Sequence, residues 1–251
     1  MSGKVYLVGA GPGAPDLLSL RAARLLGEAD VVFHDALVNP EILAMAPHAK
    51  LVAVGKRCGR HSTAQAFINK QLVDAAGKYR VIVRLKGGDP MLFGRAQEEI
   101  DALAAAGIAT EVVPGITAAL AASATLKVSL TRRGVARNVA FVTPRIGKME
   151  KASDWLATAV SADTAVIYMG AGEAGAIAQA LMAHGRAATT PVALVECASL
   201  PAEQWHFGHL AELEHLAHHV GPGPAIIVLG DVLRERVQAA TLVQEALRRV
   251  V

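Results

Sequence analysis

Short runs of consecutive apolar residues recur along this chain. Between them lie stretches in which apolar residues return every three or four positions. Runs of the first kind read as strands buried on both faces, and stretches of the second kind as amphipathic helices. Residues 4–8 form the first such run. Residues 18–29 form the first helical stretch, with Leu18, Ala22, Leu25 and Ala29 on one face. A strand at 30–33, a short helix at 40–45 and a strand at 50–54 follow. Ser62 with Gln65 three positions later forms a capping box, which opens a helix running to about Ala76. Strands at 80–85 and 110–113 alternate with helices at 94–106 and 115–125. This alternation predicts an α/β domain with a mostly parallel sheet covered by helices on both faces.

The second half has a different rhythm. Strands are expected at 139–142, 164–168, 191–195, 204–208 and 225–229. Helices are expected at 154–160, 174–183 and 209–219, the second ending ahead of Gly185, a residue suited to a helix C-terminus. With strands outnumbering helices, this half predicts a second α/β domain with a mixed sheet. Residues 144–153 are polar and contain Pro and Gly, which suits a linker. The expected division is therefore 1–140 and 141–251.

Composition narrows the picture. Hydrophobic residues make up 53% of the 251 and aromatics only 4%, so the core is built mainly from Ala, Val, Leu and Ile. No stretch approaches the roughly 18 apolar residues that a membrane span needs. The apolar run at 5–10 is too short for a secretion signal and leads into a Gly/Pro loop. A cytoplasmic protein without a membrane partner is expected. Cys58 and Cys197 fit a compartment where thiols stay reduced, and they lack paired metal-ligand spacing, so no metal site is expected.

The net charge of +3 says less than where the charges sit. Lys56, Arg57, Arg60 and His61 lie within six residues; Arg84, Lys86 and Arg95 bracket a Gly-rich loop; Arg132, Arg133 and Arg137 bracket another. Basic side chains gathered where strands end point to an anionic ligand. A basic stripe interleaved with aromatics, as nucleic acid would require, is absent from the sequence.

Ligands of open α/β sheets bind beyond the carboxyl ends of strands, and the unusual sequences fall there. Gly9-Ala10-Gly11-Pro12-Gly13 follows the first strand. Its spacing departs from the dinucleotide pattern G-x-G-x-x-G, and Pro12 removes a backbone donor that a phosphate would use. It reads instead as a tight turn that another molecule approaches closely. In Lys86-Gly87-Gly88-Asp89-Pro90, two glycines expose backbone and a carboxylate follows. Arg95 and Glu98 stand three apart on one helix face. Val113-Pro114-Gly115-Ile116-Thr117-Ala118 leads a strand into the first turn of a helix, whose N–H groups are open to a ligand. Tyr168-Met169-Gly170 ends a strand.

Taken in order, these stretches resemble the tetrapyrrole methyltransferases. They read VGAGPG (8–13), GKR-x-G-x-HS (55–62), LKGGDP (85–90), FGR (93–95), EE (98–99), VPGIT (113–117), LT-x-RG (130–134), YMG (168–170) and PAIIVLG (224–230). The 55–62 stretch favours the branch that acts on uroporphyrinogen III over those acting on later precorrins. The resemblance implies two α/β domains with S-adenosylmethionine in the cleft between them, and a homodimer. It implies C-methylation of uroporphyrinogen III at C2 and C7, giving precorrin-2 by way of precorrin-1 for siroheme or cobalamin biosynthesis. S-adenosylhomocysteine would be the second product. Cofactor contacts would fall on Pro12, Gly87, Gly88, Asp89, Thr117, Ala118, Met169, Ala198 and Ala225. Acceptor-side roles would fall on Asp35, Arg95, Glu98, Arg133 and Met169, with Glu98 or Asp35 taking the proton that leaves the macrocycle. The chain departs from the family pattern at His34 and Ala36, Ala96-Gln97, Arg132, Thr143-Pro144-Arg145, Glu196-Cys197-Ala198 and Gln204-Trp205-His206.

Overall fold

A computed structural model describes residues 3–54, 65–146 and 154–248. The chain forms two compact units, Met1–Ala118 and Ala119–Val251.

The first unit holds β1 (Lys4–Gly9), α1 (Leu20–Glu28), β2 (Val31–His34), α2 (Pro40–Leu43), β3 (Lys50–Ala53), α3 (Gln65–Ala76), β4 (Val81–Lys86), α4 (Ala96–Ala105) and β5 (Thr110–Val113). Its strands lie in the order β3-β2-β4-β1-β5, every neighbouring pair parallel. Alternation along β1 sends Val5 and Leu7 to one face, against Leu72 of α3 and Leu103 of α4. Val8 packs on the other face, with Leu25 and Leu26 of α1 and Ile42 of α2. Apolar burial on both faces is what the uninterrupted runs required. α1 starts two residues later than expected. Leu18 stays extended, and the Ser19 hydroxyl accepts the Ala22 N–H at 3.2 Å as the cap.

The second unit holds α5 (Ala118–Leu126), which opens at the junction, then β6 (Val139–Val142), α6 (Trp155–Ser161), β7 (Thr164–Tyr168), α7 (Ala174–Ala183), β8 (Pro191–Glu196), β9 (Gln204–His209), α8 (Leu213–Ala217), β10 (Ala225–Gly230) and α9 (Arg234–Arg248). The order is β6-β7-β10-β8-β9. Only β6–β7 is parallel, so the sheet is mixed.

Three expectations change. A boundary at 140/141 would cut β6 in two, whereas the units part after Ala118. The helix expected at 209–219 shrinks to a 3-10 turn and the five residues of α8, because β9 continues through His209. And α9, the longest helix described, was not anticipated. The Ser62–Gln65 capping box, the basic cluster at 56–61 and Cys58 lie outside the described residues, as do 147–153 of the expected linker.

Each sheet uses the same device to tie two strand starts together. Asp30, before β2, accepts N–H bonds from Arg80 and Val81 at 2.8 Å each. Asp163, before β7, accepts them from Arg137 and Asn138 at 2.7 and 3.2 Å. The Val81 and Arg80 amides hold Asp30 below the usual carboxylate range, and the Arg137 and Asn138 amides do the same for Asp163. Because both folded pKa values are depressed, the stability these groups add is present above their unfolded values. It is lost as pH falls through the folded ones. Thermal unfolding followed by circular dichroism from pH 6 to pH 2 is therefore expected to weaken less steeply below about pH 4 in Asp30→Asn/Asp163→Asn than in the parent. Equal slopes would show that these ties do not couple to folding.

Candidate functional site

In the first unit the ends of β2, β4, β1 and β5 stand side by side at one edge of a parallel sheet. Pro12, Asp35, the 87–89 loop and Thr117 all follow those ends directly, where open α/β sheets place their ligands. The loops after β1 and β4 are laced together. The Gly11 N–H donates to the Gly88 carbonyl at 3.1 Å, and the Gly88 N–H donates back to Gly11 at 2.7 Å. Gly88 has φ +65°, a backbone state that L side chains rarely take, and Gly87 has open space where a side chain would stand. Bare backbone thus faces outward between the two loops. Asp89 is turned inward: its carboxylate accepts N–H bonds from Met91 at 2.8 Å and Gly115 at 2.9 Å, which ties in the loop after β5. Its carboxylate thereby ties the glycine loop after β4 to the loop after β5.

Arg84 and Lys86 correct the sequence reading. They are not loop cations waiting for an anion. They lie on β4, 2% and 3% exposed, and both are bound to Glu99 of α4, which is fully buried. Glu99 accepts from Arg84 Nε at 3.1 Å, from Lys86 Nζ at 3.1 Å and from Gln65 Nε2 at 3.1 Å. Arg84 Nη2 reaches on to Asp35 at 2.6 Å, and its Nη1 donates to the Leu85 carbonyl at 3.1 Å. Burial, with the Arg84 charge beside it, pushes the Lys86 ammonium below its ordinary value. Among the four charged members Asp35 is the one that reaches the surface, its side chain 31% exposed.

Arg95 and Glu98 sit at the start of α4. Arg95 has φ +54° and ends the 89–95 loop, in which Phe93 is also left-handed. Such states in non-glycine residues concentrate where ligands are handled. The two side chains form a two-pronged ion pair at 2.7 and 2.8 Å, both about half exposed. Arg95 holds the Glu98 carboxyl below its usual range. Glu98 is thus ionised at neutral pH and a weaker base than an unpaired glutamate.

In the second unit, Met169, Ala198 and Ala225 gather at one end of the mixed sheet. Met169 follows β7, Ala225 opens β10 opposite Glu196, and Ala198 lies just past β8. Met169, Cys197 and Ser199 all have positive φ. Glu196, one of the departures from the family pattern, clamps the neighbouring loop: its carboxylate accepts the N–H groups of Gly221 and Gly223 at 2.8 and 2.7 Å. Burial, with the Glu196 carboxylate nearby, pushes the Cys197 thiol up, which disfavours the thiolate. The Tyr168 hydroxyl accepts the Ala119 N–H in the first turn of α5 at 3.1 Å. Elsewhere in this unit Arg132 pairs with Glu235 at 2.8 Å. Arg133 stands exposed in the turn beside it, without a side-chain partner among the described residues. No three His, Cys, Asp or Glu side chains among the described residues converge as metal ligands. No helix among them is long and apolar enough to cross a membrane.

The pattern of the tetrapyrrole (corrin/porphyrin) methylases matches residues 4–214. The chain belongs to this family. It is 47% identical over 236 residues to the uroporphyrinogen-III C-methyltransferase of Pseudomonas aeruginosa, an alignment covering 94% of this chain and 96% of that one. It is also 47% identical over 232 residues to siroheme synthase 1 of Yersinia enterocolitica, but covers only 49% of it. The chain thus spans about half the length of the siroheme synthases it matches. Among solved structures it resembles the uroporphyrin-III C-methyl transferase of Thermus thermophilus complexed with S-adenyl homocysteine. That match has a TM-score of 0.82 and 41% identity, covering 92% of this chain and 99% of that one.

Apart from Arg133, which lies in the 132–136 turn, the expected residues thus fall into two groups, one near a sheet end in each unit. What the sequence reading missed is Glu99, the fully buried carboxylate at the centre of the charge network. One signal could have found it: Ala96, Glu99 and Leu103 share a helical stripe, which puts Glu99 on the buried face of α4.

Proposed function

We propose that this chain transfers methyl groups from S-adenosylmethionine to C2 and C7 of uroporphyrinogen III, giving precorrin-2 through precorrin-1 for siroheme or cobalamin synthesis. The observation that carries this reading is the near-equal-length likeness to the Pseudomonas enzyme. The exposed glycine backbone after β1 and β4 supports it, since a nucleoside-bearing molecule can lie against backbone that carries no side chains.

S-adenosylmethionine supplies an electrophilic methyl group, so the protein's task is chiefly to place an electron-rich pyrrole carbon in line with it. Pro12, Gly87, Gly88, Asp89, Thr117 and Ala118 in the first unit are the proposed cofactor-binding residues, with Met169, Ala198 and Ala225 in the second. Among these, Asp89 acts through the loop it fixes. Asp35, Arg95, Glu98 and Arg133 are assigned to the acceptor. Glu98 and Asp35, both anchored by arginines, suit hydrogen bonds from pyrrole N–H groups, and one of them takes the departing proton. Arg95 and Arg133 face the eight carboxylates of the macrocycle, which guanidinium groups bind two-pronged. We also propose a homodimer in the cytoplasm, without nucleic acid, membrane or metal.

Arg133→Ala is expected to lower kcat/KM for uroporphyrinogen III by about tenfold or more, the worth of a charge-assisted contact. Affinity for S-adenosylhomocysteine should stay within about twofold in a calorimetric titration. A large loss of that affinity would move Arg133 to the cofactor. The reading as a whole is tested by anaerobic incubation with both substrates and mass analysis of the tetrapyrrole. A gain of two methyl groups is expected. An unmethylated tetrapyrrole from folded protein that binds S-adenosylhomocysteine would overturn the assigned acceptor.

A further inference from the structure

The buried network behind Asp35 contains more charge than folding requires. Glu99, Lys86 and Arg84 are all within 3% of full burial, and ions so placed lose their hydration. Apolar residues of similar volume would fill the same space with equal or better stability. The network has direction as well. Lys86 and Gln65 bind Glu99; Glu99 binds Arg84 at Nε; Arg84 binds Asp35 at Nη2. With Nη1 held by the Leu85 carbonyl, all three guanidinium nitrogens are engaged and the plane of the group cannot turn. Of the four charged groups in this chain of bonds, only the Asp35 carboxylate, at the end of β2, is substantially exposed.

We propose that Glu99 is a positioning residue for methyl transfer: through Arg84 it fixes the Asp35 carboxylate against the acceptor. The proposal rests on the methyltransferase reading above. Lys86 serves as counter-ion to Glu99, so that the four charges balance, and none of Glu99, Lys86 or Arg84 need touch the substrate. Asp35 is thereby presented as an anion in one orientation, which suits it to receive pyrrole N–H groups of a rigid macrocycle.

The test pairs Glu99→Met with Lys86→Met, which removes one charge of each sign. The thermal midpoint should stay within about 5 °C of the parent, because the charge balance is kept. Affinity for S-adenosylhomocysteine should be unchanged. The kcat for methylation of uroporphyrinogen III should fall about tenfold as Asp35 loses its fixed orientation. Arg84→Lys gives an independent check: it keeps the charge but loses the fork that spans Glu99 and Asp35, and the same fall in kcat is expected. Asp35→Asn should lower kcat at least as far. Adding Glu99→Met/Lys86→Met to Asp35→Asn should lower it no further, because Glu99 acts only through Asp35. Parent-like kcat in the folded double variant, or an effect that multiplies with that of Asp35→Asn, would overturn the proposal. A parent protein that binds S-adenosylhomocysteine but yields no methylated product would remove the underlying reading, and this proposal with it.

Discussion

Gly115→Ala is expected to abolish binding of S-adenosylhomocysteine and to lower the thermal midpoint by about 10 °C. A Cβ at this position would stand 2.3 Å from the Gly88 carbonyl oxygen and 2.9 Å from Gly9 Cα. Both neighbours are backbone, so no side chain can swing aside. The Gly88 carbonyl already accepts the Gly11 N–H, and the Gly115 N–H already donates to Asp89. Moving any one of these three loops therefore breaks a bond that holds another. Overpacking of this kind costs about 3 kcal/mol. Gly88→Ala should be milder for stability: its Cβ meets Thr117 Cα at 3.8 Å, an ordinary contact, and the cost is the left-handed backbone, about 1 kcal/mol. Scanning fluorimetry and calorimetric titration of the two variants give the comparison. A Gly115→Ala protein that melts and binds as the parent does would show that the loops after β1, β4 and β5 can separate freely, and the proposed cofactor surface would lose its rigid frame.

The same three loops show what a sequence can and cannot display. Runs such as 110–113, 139–142 and 164–168 coincide with strands residue for residue, although only the last is buried along most of its length and the first two form sheet edges. Helix α7 also matches its expected span, closed by the 183–185 turn. Where chemistry and packing compete, the reading slipped. Ending the strand at 85 puts Lys86 in the loop, and grouping Arg84 with it overlooks that Arg84 already lies within the expected strand. Two apart on one strand, they share a face, and that face is covered by α4. Glu98 and Glu99 are neighbours in sequence but about 100° apart around the helix, so one pairs with Arg95 in solvent and the other lies in the core. The mutual fit of Gly9, Gly88 and Gly115 is a long-range contact, and no local pattern encodes it. Helix α9 escaped for a different reason: within residues 234–243 only Val237 is fully buried and most other positions face solvent, so the apolar period is weak.

Arg84→Met is the substitution expected to cost the fold most. It leaves Asp35 without its arginine and removes one of the two cations bound to Glu99, so the buried cluster changes from balanced to net negative. Removing one partner of a buried ion pair typically destabilises by about 3–5 kcal/mol, since the charge left behind can neither hydrate nor find another partner. A fall in midpoint of at least about 10 °C is expected at pH 7. The balanced removal, Glu99→Met with Lys86→Met, deletes more charge yet should melt close to the parent. The contrast separates two explanations of the same cluster. If the ions act as independent hydrogen bonds, the double variant suffers more than Arg84→Met, having lost more bonds. If charge balance governs, the order reverses. A midpoint for Arg84→Met within about 3 °C of the parent would mean that water reaches Glu99, and that Asp35 is not held by a rigid arm.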